Sequence, residues 1–480
     1  MAISVHNTLT RRAEPFVPLQ PGKVGMYLCG PTVYDDCHIG HLMGPVLFDA
    51  VARWFRARGF AVAFVNNITD IDDKILDRAA RTGEAWTAIT ARYTEQYLGL
   101  LNALKVTSIT DHPRATAFVE PMVAFVAELE RRGVAYRGPD GVYFDISRQP
   151  GYGKLSGRKA EDKLAGARID RDGGLRNPGD FCLWKLAKPG EPSWPSPWGA
   201  GRPGWHIECS VMAGALLGPE FDIHGGGDDL KFPHHENEVA QSEAHGHAFA
   251  RCWMHNGLVQ YEGAKVAKSD PRNADPAFAR QFQALHLIST YGGAVIRFLF
   301  LQGHYRRPVD FAPQHIEAAR TALQRLHAQL GGLLDEPAGA TLDEILARPA
   351  DAEAAARREA FVAAMDDDFN TGVAVAQLFA LAAHARKADE AVRPTVLRLL
   401  RDLGRLIGLL LPGDARDTGA APVVADDATV QGLMSLILDL RARARAAKDY
   451  ATSDLVRDRL AALGIAVKDG KDGATWSRKA

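Results

Sequence analysis

Four residues spread along the chain carry side chains suited to one soft divalent cation: Cys29, Cys209, His234 and Glu238. In Pro233-His234-His235-Glu236-Asn237-Glu238, His234 and Glu238 stand at i and i+4, so the helix this segment opens projects both from one face. Cys29 closes the apolar run Val24-Gly25-Met26-Tyr27-Leu28, and Cys209 lies in Trp205-His206-Ile207-Glu208-Cys209-Ser210. Two thiolates, an imidazole and a carboxylate make a donor set suited to zinc. Spacing alone does not bring the four together, and buried structural cysteines beside a polar helix start produce the same pattern. A zinc protease is disfavoured by residue order, because H-H-E-N-E lacks the second histidine of H-E-x-x-H.

A second constellation suits phosphoryl chemistry. His38-Ile39-Gly40-His41 follows the first apolar run and opens the first helix, where free N–H groups and the positive dipole end attract phosphate. Gly40 admits a nucleotide close to the backbone, and two imidazoles can donate to charge developing on phosphorus. Lys265-Val266-Ala267-Lys268-Ser269 offers two mobile positive charges for a triphosphate. The run His224-Gly225-Gly226-Gly227-Asp228-Asp229 reads as a strand entering a tight turn against which an adenosine can lie. Each has a plainer alternative: a helix-capping loop, a surface loop, an ordinary turn. There is no G-x-x-x-x-G-K-[ST], and Gly151-Tyr152-Gly153-Lys154-Leu155-Ser156-Gly157 misses the dinucleotide fingerprint in spacing and context.

The elements that must position these residues follow from periodicity. Val24–Leu28 and Phe60–Val65 read as strands around a helix from about Pro45 to Arg58, one β-α-β unit. From about Asp111 to Gly204 the pattern is irregular, with the Pro/Gly/Trp-rich stretch 188–195, as expected of an inserted module. After about Phe311, Ala/Leu/Arg-rich segments such as Glu359–Lys387 and Thr395–Leu411 read as a helical bundle. A linker at 412–428 precedes a basic helix over Leu436–Leu463 and a small end containing Trp476.

Bulk properties narrow the class. At 480 residues with 46% apolar content the chain can build two to four domains. No segment has the shape of a signal peptide or the roughly 20 apolar residues that span a bilayer, which predicts a cytoplasmic protein without a membrane partner. Five cysteines, odd in number and unlike a disulfide framework in spacing, are expected to be reduced, which makes each a ligand or catalytic candidate. A net charge of -1 gives no global attraction to nucleic acid, so a polyanion must be met by local patches.

Taken in order, Cys29-Gly30-Pro31-Thr32-Val33-Tyr34, the His38–His41 motif, Asn67-Ile68-Thr69-Asp70-Ile71-Asp72-Asp73-Lys74, the segments at 204–210 and 232–238, Trp253-Met254-His255-Asn256-Gly257, Gly303-His304-Tyr305-Arg306 and Met365-Asp366-Asp367-Asp368-Phe369-Asn370-Thr371 closely resemble the cysteinyl-tRNA synthetase family. The similarity covers essentially the whole chain. It implies an α/β fold: a Rossmann-like class I synthetase catalytic domain with a connective insertion, then an α-helical bundle and a small C-terminal anticodon-binding domain. The implied boundaries are 1–110 and 205–260 for the catalytic halves, 111–204 for the insertion, 261–310 for the lysine-loop and stem-contact region, 311–411 for the bundle and 429–480 for the anticodon-binding domain.

The resemblance also implies roles. Cys29, Cys209, His234 and Glu238 match the family's ligands for one zinc per chain, which takes the substrate thiolate as a further ligand. Thr69 and Trp205 match positions bordering the cysteine pocket. His38, His41, Lys265 and Lys268 match the catalytic residues, and Gly40, His41, His224, Gly226, Asp228 and Lys268 fall where ATP is bound. Magnesium accompanies ATP, and the partners are L-cysteine, ATP and tRNA(Cys), with the chain a monomer. Zinc prefers a thiolate to the harder serine hydroxyl, so a hydrolytic editing site is unnecessary, unlike the discrimination of one methylene at ~1–3 kcal/mol. The second signature departs from the family's Lys-Met-Ser-Lys-Ser, and the segment after it is longer, with Pro271 and Pro276 restricting it. Two rivals are a cysteine ligase acting on an aminosugar amine, which lacks the C-terminal tRNA-binding part, and a tRNA-binding protein without catalysis.

Overall fold

The computed structural model describes residues 2–158, 175–265, 275–336, 340–417, 427–447, 449–462, 465–470 and 473–478. They form two compact units, 1–419 and 420–480.

The first unit is built on four parallel strands, β1 (Lys23–Leu28), β2 (Ala61–Asn66), β3 (Glu220–Gly227) and β4 (Phe249–Asn256), in the order β4-β3-β1-β2. Their side chains alternate between two cores, as a sheet covered on both faces requires. Val24, Met26 and Leu28 enter one with Phe64, Ile223 and Met254, while Tyr27, Val65, Phe221 and Trp253 enter the other. Helix α1 (Gly40–Ala57) fills the first core with Leu42, Val46, Phe48 and Trp54, so the helix begins about five residues earlier than periodicity suggested. Helix α2 (Trp205–Leu217) contributes Ile207 and Met212 to the second, and α3 (Glu236–His245) contributes Val239 and Ala240. The chain runs from β1 through α1 to β2 on one side, whereas β3 pairs with β1 on the other. The order reverses at β1/β3, and ligands of open α/β sheets bind in the crevice outside the carboxyl ends at such a point.

The glycine run after His224 is strand rather than turn, since β3 extends to Gly227 and pairs with β4 as far as Gly227↔Asn256. A Cβ on Gly225 would lie 2.2 Å from the Phe48 ring, so glycine is what lets α1 pack this closely.

The 111–204 stretch is more regular than its sequence. It holds the helix Val119–Arg131 and a four-stranded antiparallel sheet of Ala135–Arg137, Gly141–Phe144, Phe181–Leu186 and Gly201–Pro203. An N-terminal hairpin, Ser4–Asn7 with Arg12–Pro15, packs beside β4 and donates Thr8 N–H to Trp253 O at 2.8 Å. Helices Gly293–Leu301, Pro313–Leu330, Ala352–Asp366, Thr371–Lys387 and Arg393–Leu406 continue the unit. Periodicity over 359–387 misses a break at Asp367–Asn370, where Asp368 and Phe369 take φ of 54° and 51° and the Asn370 side chain caps Val373 N–H at 3.2 Å. Asp49 on α1 ties these parts together: fully buried, it pairs with Arg53 at 2.7 Å and Arg297 at 2.5 Å, and Arg297 also donates to Leu104 O and Ile407 O at 3.2 Å.

In the second unit the expected single basic helix over 436–463 is two, Asp427–Ala446 and Tyr450–Ala462, with Asp449 Oδ1 capping Thr452 N–H at 3.1 Å between them. A hairpin of Ile465–Gly470 and Gly473–Arg478 completes it. Among the described residues no single helix is long and apolar enough to cross a membrane.

Candidate active site

Cys29 directly follows β1, held by its N–H to Gly225 O at 3.2 Å. The next residue donates its N–H to Asn67 Oδ1 at 2.8 Å, and a Cβ on Gly30 would lie 1.6 Å from Asn67 O, so only glycine lets the two chains meet here. Cys209 faces it from α2. His234 lies in the helical turn 231–235 that runs directly into α3, Glu238 lies on α3 itself, and His234 Nε2 reaches Glu238 Oε1 at 3.2 Å. Cys29 Sγ stands 3.7 Å from Cys209 Sγ and 3.6 Å from Glu238 Oε1, and Cys209 Sγ 3.6 Å from His234 Nε2. The four donors all lie within 4.8 Å of one another. Two sulfurs, an imidazole nitrogen and a carboxylate oxygen gathered this closely could hold a metal ion and fit the requirements of zinc. Burial pushes the Cys29 and Cys209 thiols up and the His234 imidazole down, so without a cation all three are neutral near pH 7.

A shell of residues that spacing did not single out supports this set. His224, assigned to ATP above, is fully buried: its ring stacks on Trp253 at 4.3 Å and its Nε2 meets Glu238 Oε2 at 2.8 Å, so its side chain engages the carboxylate. His206 Nδ1 lies 2.9 Å from His234 Nδ1, and His235 Nε2 lies 3.2 Å from Cys29 Sγ. Cys29, His224, His235 and Glu238 therefore form an overlapping cluster of metal-binding types. Only the adjacency of His235 to His234 hinted at any of this.

Trp205 stacks on His234 at 4.3 Å and 17° while staying 40% exposed, so it stands between the donor set and solvent. Thr69 is buried beside Asn67, and its hydroxyl donates to Glu208 Oε2 at 2.7 Å. Burial raises the Glu208 carboxyl well above its usual range.

His38 is half-buried and His41 exposed at the start of α1. The His38 ring stacks on Phe282 at 5.7 Å and accepts from Gly40 N–H at Nδ1, 3.0 Å, while His41 Nδ1 accepts from His38 N–H at 3.1 Å. With Nδ1 accepting in both, the proton of each neutral ring sits on Nε2, which makes each a donor at that atom. The loop is pinned by Ile39 N–H to Phe282 O at 2.9 Å and Ala284 N–H to Cys37 O at 2.8 Å. Lys265 ends a short hairpin of Val259–Tyr261 and Ala264–Lys265, Pro276 opens the helix Pro276–Arg280, and the returning chain holds the His38 loop. Lys268 and Pro271 lie outside the described residues. Gly226 is buried in β3, and Asp228 is exposed beyond it, paired with Lys231.

Residues 15–321 match the family model described as tRNA synthetases class I (C) catalytic domain, residues 360–411 a DALR domain and residues 436–476 a cysteinyl-tRNA ligase anticodon binding domain. The methionyl-tRNA synthetase of Mycobacterium tuberculosis, solved with methionyl-adenylate, superposes with a TM-score of 0.59 at 15% identity, covering 82% of this chain and 92% of that one. LeuRS of Agrobacterium radiobacter K84, in a ternary complex with tRNA and LeuAMS, gives 0.58 at 13% identity over 85% and 86%. The class is therefore that of the class I aminoacyl-tRNA synthetases, with their Rossmann-like catalytic fold.

Curated relatives give the specificity. The cysteine–tRNA ligases of Laribacter hongkongensis and Alkalilimnicola ehrlichii are each 46% identical over 99% of this chain and all of the relative. The chain belongs to the cysteine–tRNA ligase family. Its reaction activates L-cysteine with ATP and transfers it to tRNA(Cys), so tRNA, ATP and the amino acid are its substrates. The anticodon-binding match counts against the aminosugar ligase, which lacks that part.

Proposed function

We propose that Cys29, Cys209, His234 and Glu238 hold one zinc ion and that this centre selects cysteine. The observation that carries the reading is the convergence of these donors within 4.8 Å at the β1/β3 crossover, with Trp205 between them and solvent. Zinc bound there supplies a soft electrophile that prefers a thiolate and lowers the pKa of a thiol. Thr69 and Trp205 border the amino acid, with Glu208 and His234 fixing their positions.

In the first half-reaction the cysteine carboxylate attacks the α-phosphorus of ATP and pyrophosphate leaves. His38 and His41 present Nε2–H donors to the developing charge. Lys265 and Lys268 place positive charge near the leaving phosphates, and magnesium accompanies the triphosphate. Gly40, His224, Gly226 and Asp228 border the nucleotide, with the His224 ring engaging Glu238 and Trp253. In the second half-reaction the terminal ribose hydroxyl of tRNA attacks the adenylate and AMP leaves. The catalytic halves are 1–110 and 205–260, with 111–204 inserted, 261–310 on the acceptor stem, 311–411 a bundle and 429–480 on the anticodon. The protein works as a cytoplasmic monomer.

The test is charging of a tRNA(Cys) transcript with labelled cysteine, ATP and magnesium by the zinc-loaded chain, with serine as control. Cysteine-only charging is expected; equal charging with serine would overturn the assigned selectivity.

A further inference from the structure

Beyond the four donors, the buried pair His235 and His255 carries no role in the reaction above, yet it forms a continuous chain with one of them. Cys29 Sγ lies 3.2 Å from His235 Nε2, His235 Nδ1 lies 2.8 Å from His255 Nε2, and His255 Nδ1 lies 2.9 Å from Thr8 Oγ1. His235 is wholly buried and His255 is 4% exposed. The 2.8 Å contact between His235 Nδ1 and His255 Nε2 has room for one proton, so one ring donates across it and the other accepts.

A neutral imidazole donates at one nitrogen and accepts at the other, which makes the chain directional. A thiol at Cys29 can be served by either direction. A thiolate has no proton to give, so it requires donation from His235 Nε2, which leaves Nδ1 bare to accept from His255 Nε2–H and His255 Nδ1 bare to accept from the Thr8 hydroxyl. Thr8 can complete that direction because a hydroxyl donates freely, and it is itself fixed by its N–H to Trp253 O at 2.8 Å in the turn of the N-terminal hairpin.

We propose that Thr8 and His255 are positioning residues for the metal centre: they set the tautomer of His235 so that its Nε2–H donates to the metal-bound thiolate of Cys29. The N-terminal hairpin thereby contributes to metal affinity without touching the metal. The inference rests on the zinc reading given above. Partners of this kind, beyond the ligands themselves, typically change metal affinity about 10- to 100-fold when removed.

The full-length chain is titrated with zinc against a chelating indicator, and a cobalt-substituted sample reports the sulfur-to-metal charge-transfer band. His255→Ala is expected to weaken zinc binding about tenfold or more and to shift that band, because a thiolate that loses an N–H donor becomes a stronger electron donor. Thr8→Val should weaken binding by a smaller factor with a shift of the same sign, and Thr8→Ser should match the wild type, since it keeps the hydroxyl. Thr8→Val is a surface-proximal isostere, which keeps the test decisive if His255→Ala does not fold. Zinc affinity and band position unchanged in Thr8→Val and in folded His255→Ala would overturn the inference while leaving the zinc reading intact. A wild-type chain without zinc affinity would overturn both.

Discussion

The imidazoles at the start of α1 accept backbone N–H groups at Nδ1, at 3.0 Å in His38 and 3.1 Å in His41, so in the neutral ring each proton sits on Nε2, the donor atom of the proposed role. Removing such a donor from a developing oxyanion costs transition-state stability rather than folding. His38→Ala is therefore expected to lower cysteine-dependent pyrophosphate exchange by about tenfold or more with zinc content unchanged; an unaltered exchange rate would remove His38 from the chemistry. His327 gives a different prediction. Both its ring nitrogens are buried without partners, and burial, with Lys105 nearby, pushes its pKa down to about 4. The unfolded chain binds that proton near pH 6.5, so between about 6.5 and 4 unfolding takes up a proton and stability falls as pH falls. Denaturant midpoints across that window should drop in the wild type and drop less in His327→Leu; parallel profiles would show that His327 does not set this dependence. Cys29, Cys209, His234 and Glu238 could be named as candidate donors from their chemistry, but it was the resemblance to a known family, and not their spacing, that joined them into one set. The places of His206, His224, His235 and His255 were not legible, because what gives each its place is a partner 14 to 247 residues away, at 2.8 to 2.9 Å for His206, His224 and His255.

Helix α1 is held to the later helices by the buried Asp49–Arg297 pair. Burial pushes the Asp49 carboxyl up, but Arg297 and Arg53 outweigh it and hold its pKa at about 2. Arg297→Met leaves that carboxylate with Arg53 and the N–H groups of Thr107 and Ser108 and is expected to destabilise the first unit by about 3 kcal/mol or more, read from denaturant melts; a loss below about 1 kcal/mol would show the pair to be energetically idle. Strands β1 and β2 were readable because a parallel strand covered on both faces is a continuous apolar run. The sheet within 111–204 was not, because its strands are only three to six residues long and pair across gaps such as Gly141↔Lys185 that no local pattern records. The break after Asp366 left a readable trace in Asn370-Thr371, a capping residue ahead of a helix, but it sits inside Ala-rich sequence whose period continues across it.

At the level of the whole chain, the two compact units divide the labour that the family matches describe, with the catalytic domain in the first and the anticodon-binding domain in the second. A chain ending at residue 419 should retain cysteine-dependent pyrophosphate exchange while losing most tRNA charging; loss of exchange in a folded truncation would mean that the second unit supports the chemistry as well as the tRNA. The order of motifs along the sequence made the class and the substrate readable through the family they resemble. Selection of the amino acid by the proposed Cys29, Cys209, His234 and Glu238 centre is read from pyrophosphate exchange by wild-type protein stripped of metal and then restored with zinc, assayed with cysteine and with serine. A selecting role for the centre requires that exchange with cysteine disappear on stripping and return with zinc, and that serine support none in either state. Undiminished cysteine-dependent exchange by metal-free protein would contradict it.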